Sequence, residues 1–394
     1  MLIDVNFESM KRKQRSFNYQ KFFILLISIC LTSCKKESAD LNGKDDKQLG
    51  KVFIQFWDKM NNQYVYWDKD TTNWNAVYKK YKPLFNQLTN SDEDKKMAVS
   101  YLKEMTSTLI DNHFNITFQD KAIIGSVINP SFERKVKSPN FHGKYNYDGV
   151  VKSYLDHGFL SAVGNTTENG IPINATTGTI NNNLLYFRCN FFALKRAYEL
   201  GNDTKIKAIL NYFFSALKRT ASPMNGVILD LRNNSGGSIA DLNFFAGKLV
   251  DQDIVFGYSR SKSGLGKWSY LPWFEAKLKH DPDYNVNVPV ILLGDNFSAS
   301  LSEIIIIALR SKKNIFIGEQ TYGATGPLAD PDVFNSGSFS IFLTVKTSAV
   351  EFKGIDGTFY ENIGIAPDVH SPFNSKNLSL GKDDQLELAI SLIK

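Results

Sequence analysis

An α/β fold is predicted for this chain by three observations. Short apolar runs, GVILDLR at Gly226–Arg232 and VPVILLG at Val288–Gly294, have strand length and no alternation, as strands buried on both faces do. Amphipathic stretches of helical spacing separate such runs, DTKIKAILNYFFSALKR from Asp203 being the clearest. Both runs lead through a turn of small residues into a predicted helix, the junction where α/β proteins place ligands.

The amino end carries an export address. The basic patch KRKQR at Lys11–Arg15 precedes KFFILLISICLTSC, whose apolar part is too short to span a bilayer and ends in small residues. Leu31-Thr32-Ser33-Cys34 resembles a bacterial lipobox, which implies cleavage before Cys34, a lipid on its thiol and a membrane tether; a plain signal peptide is the alternative. Residues 1–34 are therefore read as a lipoprotein signal and 35–48, polar and aperiodic, as a flexible tether. With Cys30 in the signal and Cys34 lipidated, only Cys189 remains in the mature protein, in the strand-like run NNLLYFRCNFF, as a packing residue.

Residues 49–116 show helical spacing in VFIQFWDKMNNQYVYW, NWNAVYKKYKPLF and KKMAVSYLKEMTSTLI, with Asn73 and Ser91 as N-caps, and are expected to form an aromatic-rich helical domain. Residues 117–180, rich in Gly, Asn, Ser and Thr, read as an irregular β insertion without a clear PDZ signature. Residues 181–394 alternate strand and helix as the core domain. Its expected elements include the strand NIFIGE, a strand pair in GSFSIFLTVKTSAV and a last helix DDQLELAISLIK.

Composition excludes several classes. The chain is 394 residues, 43% hydrophobic and 22% charged, which is ordinary for a globular protein. Its net charge of +6 falls to +3 once residues 1–34 are set aside, and no basic stripe interleaved with aromatics points to nucleic acid. No Cys/His cluster has metal spacing and no Walker or dinucleotide loop occurs, so neither metal nor cofactor is expected.

Chemistry concentrates at the two strand ends. After VPVILLG come Ser298, Ser300 and Ser302 at alternate positions, then Glu303 and the apolar IIIIAL. A hydroxyl at a helix start lies among unpaired N–H groups and the positive end of the helix dipole, although a serine there is ordinarily a cap. After GVILDLR comes Asn233-Asn234-Ser235-Gly236-Gly237, whose glycines let backbone N–H groups turn toward a ligand. Asp230 and Arg232 are read as fixing that turn, and Glu303 as supporting the helix start.

GVILDLRNNSGG, SASLSE, IGEQTYG and ENIGIAPDV, in that order, resemble the C-terminal processing peptidases and the tricorn protease core, and the aromatic helical segment ending in LIDNHFNIT resembles their bacterial lead-in. The resemblance implies a crotonase/ClpP-like α/β core and a serine-type endopeptidase acting on peptides or proteins. It implies Ser300 as nucleophile, with the N–H of Leu301 and one from Gly236 or Gly237 as oxyanion donors. Relatives of the Ser/Lys kind carry a lysine after the TxG, where this chain has Thr321-Tyr322-Gly323-Ala324-Thr325-Gly326, so a Ser–Lys dyad is not expected. The tricorn-like branch instead implies His113 as general base, oriented by Glu361. That branch has a serine before the histidine; here it is Asn112, whose amide can bridge His113 and Glu361. His142, His157, His280 and His370 are expected at the surface. The alternative is a peptidase-fold protein without catalysis that binds peptides or hydrophobic ligands, as the interphotoreceptor retinoid-binding proteins, which resemble this core, do.

Overall fold

In this computed structural model the described residues are 48–393 apart from 168–169, 201–202, 220–223 and 329–341. The export signal, the lipobox with Cys34 and nearly all of the tether lie outside them.

Three helices come first: α1 (Gln48–Gln63), α2 (Trp74–Phe85) and α3 (Asp92–Thr106). Asn73 and Ser91 cap α2 and α3, accepting from the N–H groups of Ala76 and Asp94. Trp57 and Trp74 each donate an indole N–H to the other's backbone carbonyl, so Trp74 is fully buried and Trp57 partly buried with their polar atoms satisfied. These helices do not close a core among themselves. Phe53, Phe56, Trp74 and Phe85 share one with Ile116 of β1 (Asn115–Phe118) and Leu343 and Val345 of β11 (Leu343–Lys346). β11, β1 and β2 (Val127–Ile128) form an antiparallel sheet.

Two short helices follow, α4 (Pro130–Lys135) and α5 (Asp148–Lys152), and then a seven-stranded sheet. Its strands are β3 (Leu160–Thr166), β4 (Pro172–Ile180), β5 (Leu184–Cys189), β6 (Gly226–Asp230), β9 (Val290–Gly294), β10 (Phe316–Gly318) and β13 (Val369–His370), in the order β13-β10-β9-β6-β5-β4-β3. β5, β6, β9, β10 and β13 run parallel, while β3 and β4 add an antiparallel edge. The stretch expected to be an irregular insertion thus supplies two strands of the core sheet.

Both faces of the sheet are covered. Leu185, Phe187, Val227, Leu229 and Leu292 face α6 (Leu194–Leu200), α7 (Thr204–Leu217), α8 (Ala240–Phe245) and α9 (Leu301–Leu309). Leu184, Tyr186, Ile228, Ile291 and Leu293, one residue out of phase, pack with α5 and α11 (Asp384–Leu392), which follows α10 (Ser375–Ser379). This is why the parallel strands read as unbroken apolar runs. The hydrophobicity of α9 has the same cause, since Leu301, Ile304, Ile305, Ile306, Ala308 and Leu309 are all buried.

A third sheet, β12-β7-β8, joins β7 (Ile254–Ser261), β8 (Phe274–Leu278) and β12 (Val350–Gly354). The strand pair expected within GSFSIFLTVKTSAV, whose residues 337–341 lie outside the described residues, does not pair with itself. β11 hydrogen-bonds to β1 and β12 to β7. The cause is Asp111, whose carboxylate accepts the Thr347 hydroxyl and the N–H and hydroxyl of Ser348, holding the connecting turn away from a hairpin.

Candidate active site

The carboxyl ends of the neighbouring parallel strands β6 and β9 carry the two motifs. Chain leaving β9 turns at Asp295, which accepts the N–H groups of Asn233 (2.9 Å) and Phe297 (3.0 Å) and so ties the two loops together. Ser298 is fully buried and donates to the Leu231 carbonyl at 2.8 Å. Ser302, also fully buried, donates to the Asn234 side-chain oxygen at 2.7 Å. Ser300, between them, is only half-buried and lines a cavity. Its backbone has φ 56° and ψ −121°, a strained conformation for a residue with a side chain.

The elbow is held from below by Glu303. This buried carboxylate accepts the Ser300 N–H (3.0 Å), the Thr321 hydroxyl (2.5 Å) and the N–H groups of Gly323 (2.6 Å) and Ala324 (2.7 Å). Burial raises its pKa despite those four donors.

Gly236 lies against the elbow. A Cβ placed on it would meet Ser300 Cβ at 2.6 Å and the Leu301 N at 2.7 Å, and its φ of +89° independently favours glycine. Its N–H is already taken by the Asn234 side chain at 2.8 Å. The N–H groups of Gly237 and Leu301 have no partner among the described residues. Gly237 is locked to β5's exit by the Phe192 N–H donating to the Gly236 carbonyl (2.7 Å) and the Ser238 N–H donating to the Phe192 carbonyl (2.8 Å). Beneath the turn, Arg232 is fully buried, forks onto Asp230 at 2.9 and 2.7 Å, reaches Asp383 at 2.9 Å and covers the Tyr147 ring.

His113 lines the same cavity as Ser300, Ser235 and Gly237; its volume is about 740 Å³. Further walls come from Phe191, Phe192 and Leu200, with Lys195 paired to Glu199. The histidine sits in the connection between α3 and β1 and is brought to the sheet's carboxyl edge because Asp111, two residues before it, is buried under β11 and β12. Its Nδ1 lies 3.4 Å from Ser348 Oγ, which donates to Asp111 Oδ1 at 2.9 Å. Burial, the larger influence, lowers the His113 pKa, and the Asp111 charge opposes it.

Asn112 does not bridge His113 and Glu361 through its side chain. Its amide nitrogen donates to the carbonyls of Tyr322 (3.1 Å) and Gly323 (2.8 Å), while its backbone N–H donates to Glu361 at 2.8 Å. Glu361 also accepts the N–H groups of Thr325 (2.7 Å) and Gly326 (2.9 Å). It is buried, and desolvation followed by Asp111 raises its pKa well above the usual carboxylate range. Side-chain atoms of Asp111, His113 and Glu361 lie within 4.8 Å of one another, but every oxygen of the two carboxylates already accepts an N–H or O–H. The cluster is therefore a hydrogen-bonded one.

Sequence reasoning passed over Asp111, Ser348 and Asn234. Asn234 donates to the Cys189 carbonyl at 2.8 Å while accepting Gly236 and Ser302, so one side chain joins β5, the glycine turn and the elbow. Its place inside the Asn233–Gly237 motif was the available signal; Ser348, in a turn of ordinary composition, gave none. Cys189 is fully buried as expected, and burial pushes its thiol up. His142 is not simply at the surface: it bonds Glu319 at 2.7 Å and stacks on Phe373.

A serine at the head of a buried helix and a histidine thus line one cavity of a mixed α/β fold. Residues 186–371 match the profile of peptidase family S41, and residues 47–97 match that of the tricorn protease C1 domain. The carboxy-terminal processing protease CtpA of Bacillus subtilis (strain 168) is 27% identical over 169 residues, covering 43% of this chain and 32% of that protein. The nisin-resistance protein of Lactococcus lactis subsp. lactis is 26% identical over 178 residues, 43% of this chain and 53% of that protein. The matches thus span about a third and about half of those relatives. In fold, the chain resembles a candidate peptidase from Parabacteroides merdae ATCC 43184 (TM-score 0.65, 20% identity, 89% of this chain and 97% of that one). It also resembles mature CPAF complexed with lactacystin (TM-score 0.56, 11% identity, 88% and 98%). Just under half of the chain thus matches peptidase family S41, and together these matches support the family of the C-terminal processing proteases.

Proposed function

We propose that this protein is a serine endopeptidase of the tricorn-like Ser/His kind, held at the bacterial cell envelope by a lipid on Cys34, with Ser300 as nucleophile and His113 as general base. The observation that carries this reading is the meeting of Ser300 and His113 at one cavity beside the unpaired N–H groups of Gly237 and Leu301. His113 takes the Ser300 proton as Oγ attacks a peptide carbonyl, and the two N–H groups receive the charge that develops on the carbonyl oxygen. His113 then returns the proton to the departing amine, leaving an acyl-enzyme on Ser300 that water hydrolyses. Of the two glycines, Gly237 is the donor, because the Gly236 N–H is already satisfied. The envelope location rests on the order of basic patch, apolar run and lipobox.

Labelling of the full chain with a fluorophosphonate tests the reading. Wild type reacts, Ser300→Ala does not, and His113→Ala reacts at least about a hundredfold more slowly. A folded wild-type protein that stays unlabelled and cleaves no peptide overturns it in favour of a peptide- or lipid-binding protein on this fold.

A further inference from the structure

We propose that Asp111, acting through the Ser348 hydroxyl, is the group that orients His113, so that the hydrogen-bonded chain reads Ser300–His113–Ser348–Asp111. This rests on the reading of Ser300 and His113 above and deepens it; Ser348 lies outside the motifs that led to that reading, and Asp111, although within LIDNHFNIT, was given no role there.

The geometry is specific. Ser348 Oγ faces His113 Nδ1 at 3.4 Å and has two acceptors for its single proton, Asp111 Oδ1 at 2.9 Å and the Gly326 carbonyl at 3.0 Å. The bond to the ionised acceptor is the stronger, so the hydroxyl proton goes to Asp111 and the oxygen lone pairs turn to Nδ1–H. That fixes the tautomer with Nε2 unprotonated, the form a base must have. When Nε2 takes the Ser300 proton, Nδ1–H stays on the ring, Ser348 keeps its hydroxyl proton and Asp111 stays ionised. The Asp111 charge is what favours the imidazolium.

Glu361 is differently employed. Both of its oxygens accept backbone N–H groups, from Asn112 on one side and from Thr325 and Gly326 on the other, so it positions the 321–326 loop and not the ring. Asp111 is built into its role: it accepts the His113 N–H at 2.9 Å, the Ser348 N–H at 2.7 Å and the Thr347 hydroxyl, and among the described residues no lysine or arginine pairs with it. Among the described residues, a Glu361 oxygen lies within 4.8 Å of the ring nitrogen, the Tyr64 hydroxyl accepts the Asp111 N–H, and Lys195, Arg196, Glu199 and Asp241 line the same cavity.

The test is the pH profile of peptide hydrolysis or fluorophosphonate labelling in the full chain. Ser348→Ala is expected to lower kcat about ten- to a hundredfold with little change in KM, and Ser348→Thr, which keeps the hydroxyl, to restore most of it. Asp111→Asn removes the charge that supports the imidazolium, so the acidic limb moves to lower pH as the rate falls; its thermal unfolding reports whether the fold survives. Glu361→Gln lowers the rate but leaves that limb where it is. A Ser348→Ala enzyme with wild-type kcat and profile overturns the relay, as does a limb that moves with Glu361→Gln and not with Asp111→Asn. Loss of labelling in Ser300→Ala and slowing in His113→Ala stand apart from these outcomes, so the relay can fail while the serine–histidine reading holds.

Discussion

Glu303 accepts the backbone N–H of Ser300, and the same carboxylate accepts the N–H groups of Gly323 and Ala324. One buried charge therefore fixes the elbow against the loop that follows β10. Glu303→Ala leaves three N–H groups and the Thr321 hydroxyl without their acceptor. Unsatisfied buried donors cost about 1–3 kcal/mol each, so a loss of about 3 kcal/mol or more in denaturant unfolding is expected, with labelling of Ser300 strongly slowed.

Gly236→Ala tests the approach of the glycine turn. The new methyl group enters the space of Ser300 Cβ and the Leu301 N at a φ of +89°. The elbow has to shift, and the rate of acylation is expected to fall about a hundredfold or more while substrate binding changes less. Burst kinetics with an activated ester separate the two.

The alternate serines are expected to divide by role. Ser298→Ala and Ser302→Ala remove buried hydrogen bonds to Leu231 and Asn234, costing about 1–2 kcal/mol in thermal unfolding while labelling persists. Ser300→Ala removes the label with no comparable loss of stability. Labelling that survives in Ser300→Ala and vanishes in Ser298→Ala would move the nucleophile.

Arg232 gives a stability prediction with a pH signature. Burial alone lifts the Asp230 carboxyl, but Arg232 and Arg188 outweigh it and hold it down at about 2. Its contribution to folding is present above the ordinary Asp value of about 3.9 and is lost as pH falls toward about 2. Arg232→Met strands Asp230 and Asp383 without their shared cation, which costs about 3–5 kcal/mol. Because the depressed Asp230 pKa is then relieved, the stability of this variant is expected to fall less than that of wild type between about pH 4 and about pH 2.

Burial lowers the His113 pKa more than Asp111 raises it. The neutral base thus persists below the ordinary imidazole value of about 6.5, and the acidic limb of kcat/KM is expected below that pH. A limb above it would show that the Asp111 charge outweighs desolvation.

Much of this architecture was legible in the sequence because local physics decides it. The unbroken apolar runs at Gly226–Arg232 and Val288–Gly294 are parallel strands covered on both faces, and Asn73 and Ser91 cap the helices their positions indicated. Ser300 stood out because a reactive hydroxyl preceded a helix too apolar for the surface. Long-range decisions were not legible. That β11 leaves β12 to pair with β1, or that Ser348 meets His113 across 235 residues, depends on where Asp111 is buried, and no local pattern encodes this. For the same reason the chain seemed to start its core sheet at β5, whereas the antiparallel edge of β3 and β4 is held by partners whose own alternation is weak.

The loop at 321–326 is gripped by Glu303 from one side and Glu361 from the other, and Asn112 reaches it from the opposite end of the chain. These parts can therefore meet only after Glu361, 249 residues beyond Asn112, has been made, and a truncated chain lacking Glu361 has the serine without its surroundings.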